Sequence, residues 1–134
     1  MMRTLVFEPG YCPYEAFFKN GNDAVVKVIR GECDTLLPFD NDVIALMCSK
    51  EQQEQMPNRT IDEKTVIRGR FFVCGWDGKH IRELTRKQAD RYYRRYIYPE
   101  KFETDDQGLR ITPMDPKVKP ADERLGKKGW FIER

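Results

Sequence analysis

Apolar and polar positions divide most of the chain into short segments of recognisable period. Arg3-Thr4-Leu5-Val6-Phe7 is a β-prone run stopped by Glu8-Pro9-Gly10, because proline cannot continue a ladder and glycine accepts a turn. Asp23 to Arg30 sends two signals. Val25, Val26 and Val28 favour a strand, whereas Asn22 or Asp23 as an N-cap and Gly31 just past the end favour a short helix, which is the expectation here. Glu32 to Leu37 and Val43 to Met47, joined by Pro38-Phe39-Asp40-Asn41-Asp42, predict an antiparallel hairpin. The polar stretch Ser49 to Gln55 ends the second of these strands, and Met56-Pro57-Asn58-Arg59 marks a turn or loop. Val66 to Trp76 is the most apolar strand candidate and is expected at the centre of the sheet, with Gly69 as a bulge or close-contact point. Asp77-Gly78 turns the chain towards Ile81 and Leu84.

The pattern changes period at Thr85. Ala89, Tyr92, Tyr93, Tyr96 and Ile97 recur at helical spacing and form one aromatic stripe that should face a core. Thr85 and Gln88 have the spacing of a capping box, and Pro99 stops the helix. Lys87, Arg91, Arg94 and Arg95 stay outside the stripe and give the helix a cationic face. Beyond residue 100, Pro113, Pro116 and Pro120 with three glycines read as an arm, although its end, Gly129-Trp130-Phe131-Ile132, is apolar. The expected architecture is therefore α+β. A small antiparallel sheet of about four strands is packed by one long C-terminal amphipathic helix and a short one. Residues 1–102 form a single domain, and 103–134 an extended Pro/Gly-punctuated arm.

Length and composition narrow the class without naming a function. A chain of 134 residues with 40% hydrophobic and 34% charged residues has room for one domain with a small core and a heavily charged surface. No apolar run approaches the roughly 18 residues of a spanning helix, so no membrane partner is expected. The opening MMRTLVFEPG lacks the features of a signal peptide, and the expected compartment is the cytoplasm. Cys12, Cys33, Cys48 and Cys74 show no metal-knuckle spacing and His80 is the single histidine, so the cysteines read as reduced, mostly core residues and no cofactor is implied. Net charge is +2, but residues 1–58 carry five Lys/Arg against nine Asp/Glu while 59–95 carry eleven against five. Such polarity can steer association with a charged partner or be neutralised within the fold.

The order of short motifs is itself informative. Val6-Phe7-Glu8-Pro9-Gly10 is followed by Pro38-Phe39 leading into Val43 and Cys48, then by Pro57-Asn58-Arg59. Gly69-x-Phe71-Phe72-Val73-Cys74-Gly75, the helix start at Leu84-Thr85 with Gln88 and Tyr92, and Tyr98-Pro99-Glu100 complete the series. Over about residues 3–102 this succession resembles a family of small domains of unknown function from phages, plasmids and integrative elements of Firmicutes and other gut bacteria. The resemblance implies an α+β fold and a mobile-element setting. It transfers no active site, because that family has no assigned chemistry.

Three classes of function remain to be weighed. Cys74 and His80 have the chemistry of a nucleophile and base, but the cysteine falls in an apolar strand and no third residue orients the ring. Asp40 and Asp42 could offer oxygens to Mg²⁺, yet Asp-Asn-Asp is more often a turn bonded to its own backbone. Arg59 in its loop could fork onto a carboxylate or phosphate, or tie its own loop to Asp62 or Glu63. No Walker loop, dinucleotide fingerprint, metalloprotease motif, nucleophile elbow or zinc-finger spacing occurs. The expectation is a non-enzymatic binding protein. Lys87, Arg91, Arg94, Arg95, Arg59, Trp130 and Phe131 are its candidate partner-contacting residues. The resemblance adds a host protein as partner, such as a CRISPR or restriction nuclease that the domain would occlude. The alternative is a nucleic-acid-binding accessory protein whose basic helix neutralises phosphates.

Overall fold

The computed structural model describes residues 1–63 and 65–127. Ten strands and two helices occur among them: β1 (Met2–Phe7), β2 (Tyr14–Phe18), α1 (Gly21–Ala24, continued as a π-helical turn over Val25–Ile29), β3 (Cys33–Leu36), β4 (Ile44–Ser49), β5 (Pro57–Thr60), β6 (Val66–Arg68), β7 (Phe71–Trp76), β8 (Ile81–Arg82), α2 (Arg86–Arg95), β9 (Glu100–Asp105) and β10 (Gly108–Pro113). The main sheet runs β2-β1-β7-β4-β3 with β8 added to β7, and β5-β6 and β9-β10 form two-stranded ribbons. Every pairing is antiparallel, with Val73 of β7 opposite Leu5 of β1 on one side and Leu46 of β4 on the other.

Period two explains why the central strands read as unbroken apolar runs. Side chains alternate across a sheet, and here both faces are covered. Leu5, Phe7, Leu46, Phe71 and Val73 meet Ala89 and Tyr92 of α2 and Tyr96 just past its end, together with Ile61 and Ile67. Val6, Ala45, Met47, Phe72 and Cys74 point the other way, onto Ala24 and Val28 of the α1 segment and Tyr14, Ala16 and Phe18. The Phe7 and Phe71 rings stack at 4.6 Å between centroids, and Tyr96 meets Phe7 edge-on at 6.2 Å.

Several expectations correspond to what forms. β1, the β3–β4 hairpin, the short helix α1 and a central β7 are present, but α1 begins at an Asn20 cap, whose Oδ1 accepts the Asp23 N–H, and not at Asn22 or Asp23. It ends at Arg30 in the left-handed region, φ 59°, rather than at Gly31. The capping box of Thr85 and Gln88 is made in both directions.

The α+β architecture with a long C-terminal helix is overturned. The described residues are mostly β, 39% strand against 20% helix, with longest helical stretches of 9 and 10 residues. α2 stops at Arg95 because Tyr96 has left helical geometry (φ −124°, ψ 31°), three residues before the proline that was expected to end it. The sheet has six strands rather than about four. The presumed single strand over 66–76 breaks at Gly69, whose φ of +76° suits glycine and turns β6 away from β7. Pro57-Asn58-Arg59, expected as a turn or loop, is strand β5.

The extended arm is corrected as well. Residues 100–113 are the β9–β10 hairpin, in which Phe102 faces Ile111 and Thr104 faces Leu109. The chain after it docks back on the N-terminal hairpin: the Cys12 N–H donates to the Lys117 carbonyl at 2.7 Å, and Phe17 and Lys127 exchange two backbone hydrogen bonds at 3.0 Å.

The buried tyrosine that caps α2 makes this packing testable. Tyr96 Oη donates to the Ile61 carbonyl at 2.7 Å in addition to filling space under Phe7. Tyr96→Phe should therefore cost about 1 kcal/mol and Tyr96→Ala about 3 kcal/mol or more, read as urea midpoints. Arg94→Ala, which removes only an exposed pair with Asp90, should cost under about 0.5 kcal/mol. Equal losses at Tyr96 and Arg94 would mean that the helix face is wrongly placed.

Candidate partner-binding surface

The cationic face of α2 forms as the spacing requires. With Ala89, Tyr92 and Tyr96 turned into the core, Lys87, Arg91, Arg94 and Arg95 are exposed. Arg94 pairs with Asp90 at 3.1 Å, one helical turn before it. Lys87 and Arg91 have no ion pair or hydrogen bond among the described residues. Arg95 is held differently: its guanidinium lies over the Tyr96 ring at 5.1 Å and over the Phe39 ring at 5.8 Å. Phe39 comes from the β3–β4 connection, is itself buried, and packs on Tyr92 at 4.6 Å. A planar cation on two aromatic faces keeps its outer N–H groups free for a carboxylate while losing less side-chain freedom on binding. Leu37 and Val43, flanking that connection, are about half exposed at 52% and 48%.

Arg59 is placed in a different setting. It is 1% exposed, and its donors are taken up within the chain. Nε donates to the Tyr96 carbonyl at 3.2 Å, Nη1 to the carbonyl and Oδ1 of Asn58 at 3.4 and 3.2 Å, and Nη2 to the Tyr11 carbonyl. Asn58 Nδ2 in turn donates to the carbonyls of Phe7 and Gly69 at 3.1 and 2.8 Å. Burial pulls the guanidinium down to about 10, still charged at neutral pH. A partner could reach Arg59 only after this clasp opened. Trp130 and Phe131 lie outside the described residues.

The other candidate chemistries are not assembled. Cys74 is fully buried, its Sγ 3.8 Å from the Ala45 carbonyl, and burial pushes the thiol up to about 12, opposite to what a nucleophile needs. His80 sits exposed in the β7–β8 turn with Nδ1 3.4 Å from the Asp77 carboxylate. The Asp40-Asn41-Asp42 turn is held by Asn41, whose Oδ1 accepts the Val43 N–H at 3.1 Å. No cluster of metal-ligating side chains occurs among the described residues, and no helix among them is long and apolar enough to cross a membrane. What sequence reasoning missed is the Phe39 shelf beneath Arg95. Its one signal was a lone aromatic residue in an otherwise polar turn.

A small antiparallel sheet with helices on both faces and a basic helix outward defines a compact β-rich domain. Residues 2–97 match the domain of unknown function DUF3846, and the chain belongs to that family. No curated protein and no solved structure matches the sequence.

The buried thiols carry a pH signature. The folded-state value of Cys74 lies above the ordinary thiol value of 9.0, so the unfolded chain holds fewer protons between pH 9 and 12 and stability falls as pH rises through that window. At pH 10 the loss from this one group should be about 1 kcal/mol relative to pH 7.5, and Cys74→Ala should flatten that part of the profile. An unchanged slope in urea titrations of the variant would show that the thiol is not buried as described.

Proposed function

We propose that this domain is a non-enzymatic binding protein that presents the basic face of α2 to an acidic surface on a partner protein. The observation that carries the reading is Arg95 held over Phe39 and Tyr96, beside Lys87 and Arg91, which have no ion pair among the described residues. The half-exposed Leu37 and Val43 add apolar area next to the charges, the composition of a protein interface. Nucleic acid is the weaker reading. Tyr92 and Tyr96 of the basic-helix region are buried in the core and so removed from base stacking, and the net charge is only +2. The sealed Cys74 supports a binding role over thiol catalysis.

The setting of the partner rests on the resemblance to domains of phages and other mobile elements, which directs the search to cytoplasmic host proteins. A defence nuclease such as a CRISPR or restriction enzyme is the first to try, with occlusion as the mechanism. Charge reversal tests the surface itself. Arg91→Glu, Arg94→Glu and Arg95→Glu combined should weaken capture of the partner by about a hundredfold or more, and capture by the wild type should survive nuclease treatment. Submicromolar, salt-sensitive binding of DNA or RNA by the wild type would instead establish the accessory-protein reading.

A further inference from the structure

On the opposite face of the sheet from α2, a cleft of about 650 Å³ opens between the start of α1, the β7–β8 turn and the β3–β4 hairpin. Its more buried lining is apolar, from Val25, Met47, Trp76 and Ile81. Its exposed lining is basic, from the consecutive turn residues Lys79 and His80 and from Arg82. Among the described residues no carboxylate lines it. The narrow junction of α1 with β8 requires Gly21, where a Cβ would come within 2.8 Å of the Ile81 Cβ.

Asp77, just behind the lining, organises the basic groups. Its Oδ1 accepts the N–H groups of Lys79 and His80, which fixes the turn. Its Oδ2 takes Nε and Nη2 of Arg82, each at 2.8 Å, with His80 Nδ1 at 3.4 Å. One carboxylate thus orients two side chains and leaves the cleft an excess of positive charge from Lys79 and the shared Arg82. From the α1 side, Asn20 spends its Oδ1 on the cap and keeps its amide N–H groups, and Asn22 contributes a second amide. An indole wall, two amides able to read a ring edge and basic donors able to hold a phosphate make a consistent set.

We infer that this cleft binds a nucleoside monophosphate, its planar base against Trp76 and its phosphate on Lys79, His80 and Arg82. The inference is independent of the α2 surface. It can be read directly, because the sequence contains two tryptophans and Trp130→Phe leaves Trp76 as the sole reporter. In that background, adenosine, guanosine, cytidine and uridine 5′-monophosphates are titrated against Trp76 fluorescence, with adenosine, inorganic phosphate and indole-3-acetate as controls. At least one monophosphate should quench saturably, and loss of the phosphate should weaken binding about tenfold or more. Lys79→Gln with Arg82→Gln, both exposed positions, should weaken it comparably while the far-UV circular dichroism stays unchanged. The proposal is overturned if no nucleotide gives a saturable change at up to about 5 mM. It is equally overturned if adenosine or indole-3-acetate binds as tightly as the nucleotides, or if the double variant binds like the parent. Should the double variant unfold, the Trp76 indole N–H resonance of the parent decides: a saturable shift with a monophosphate and none with its nucleoside supports the site, and no shift overturns it.

Discussion

The buried guanidinium of Arg59 joins three parts of the chain that are remote in sequence. It collects carbonyls from the β1–β2 connection at Tyr11, from its own strand at Asn58 and from the end of α2 at Tyr96, with its charge 5.6 Å above the Phe7 ring. Carbonyls at a helix C-terminus carry partial negative charge, so a cation there is favoured electrostatically as well as by hydrogen bonding. The same contact explains why α2 ends where it does: the Tyr96 carbonyl points at Arg59. Desolvation costs several kcal/mol for a buried ion, offset here by a neutral cage of acceptors and by Glu100 nearby, whose carboxylate accepts the Thr60 N–H at 2.7 Å. Lysine could not replace this arginine, since one ammonium cannot span acceptors held by three different elements.

The clasp also connects to the docked C-terminal segment. Tyr11, whose carbonyl Arg59 holds, has Lys117 and Lys119 over its ring at 4.9 and 4.4 Å. Lys119 reaches Glu8 at 3.5 Å, Glu8 accepts the Tyr14 hydroxyl proton at 2.7 Å, and that hydroxyl accepts the Leu125 N–H. The segment then bridges Phe17 through Lys127, covering part of the outer edge of β2. Among the described residues the other edge, β3, has no such cover. It is only four residues long and carries the exposed Asp34, two devices that discourage pairing with another strand.

How much of this was legible depended on whether local pattern or distant contact decided each element. Helix α2 could be read because stripe, cap and basic face are all local, and the hairpin of β3 and β4 because its turn lies between two apolar runs. The end of α2 could not, because Arg59, 37 residues earlier, sets it. Asn58-Arg59 looks like a loop pair in sequence, since polar residues rarely fill a strand. It is buried because four carbonyls from four other parts of the fold converge on it, with the two oxygens of Asn58 itself completing the set around Arg59. The β9–β10 hairpin was hidden by proline and glycine content: Pro113 sits at the last ladder position and Gly108 at the turn, where neither interrupts pairing. The cleft was illegible for a related reason, since Asn20, Met47 and Trp76 are remote in sequence and only the sheet order brings them together.

The two surfaces differ in how they can communicate. The basic helix and the cleft lie on opposite faces of the sheet, separated by strands whose side chains are buried on both sides. A packed sheet of this kind has no second arrangement to adopt, so it transmits little. One element nevertheless touches both. The β3–β4 hairpin contributes Thr35 and Met47 to the cleft, while its connection places Phe39 under Arg95. Coupling between occupancy of the cleft and capture of a partner has one route through residues 35–47 and a second through residues 83–85, which join the cleft-lining Arg82 to α2. Because linkage is reciprocal, it would appear equally as a change in nucleotide affinity when the partner is bound.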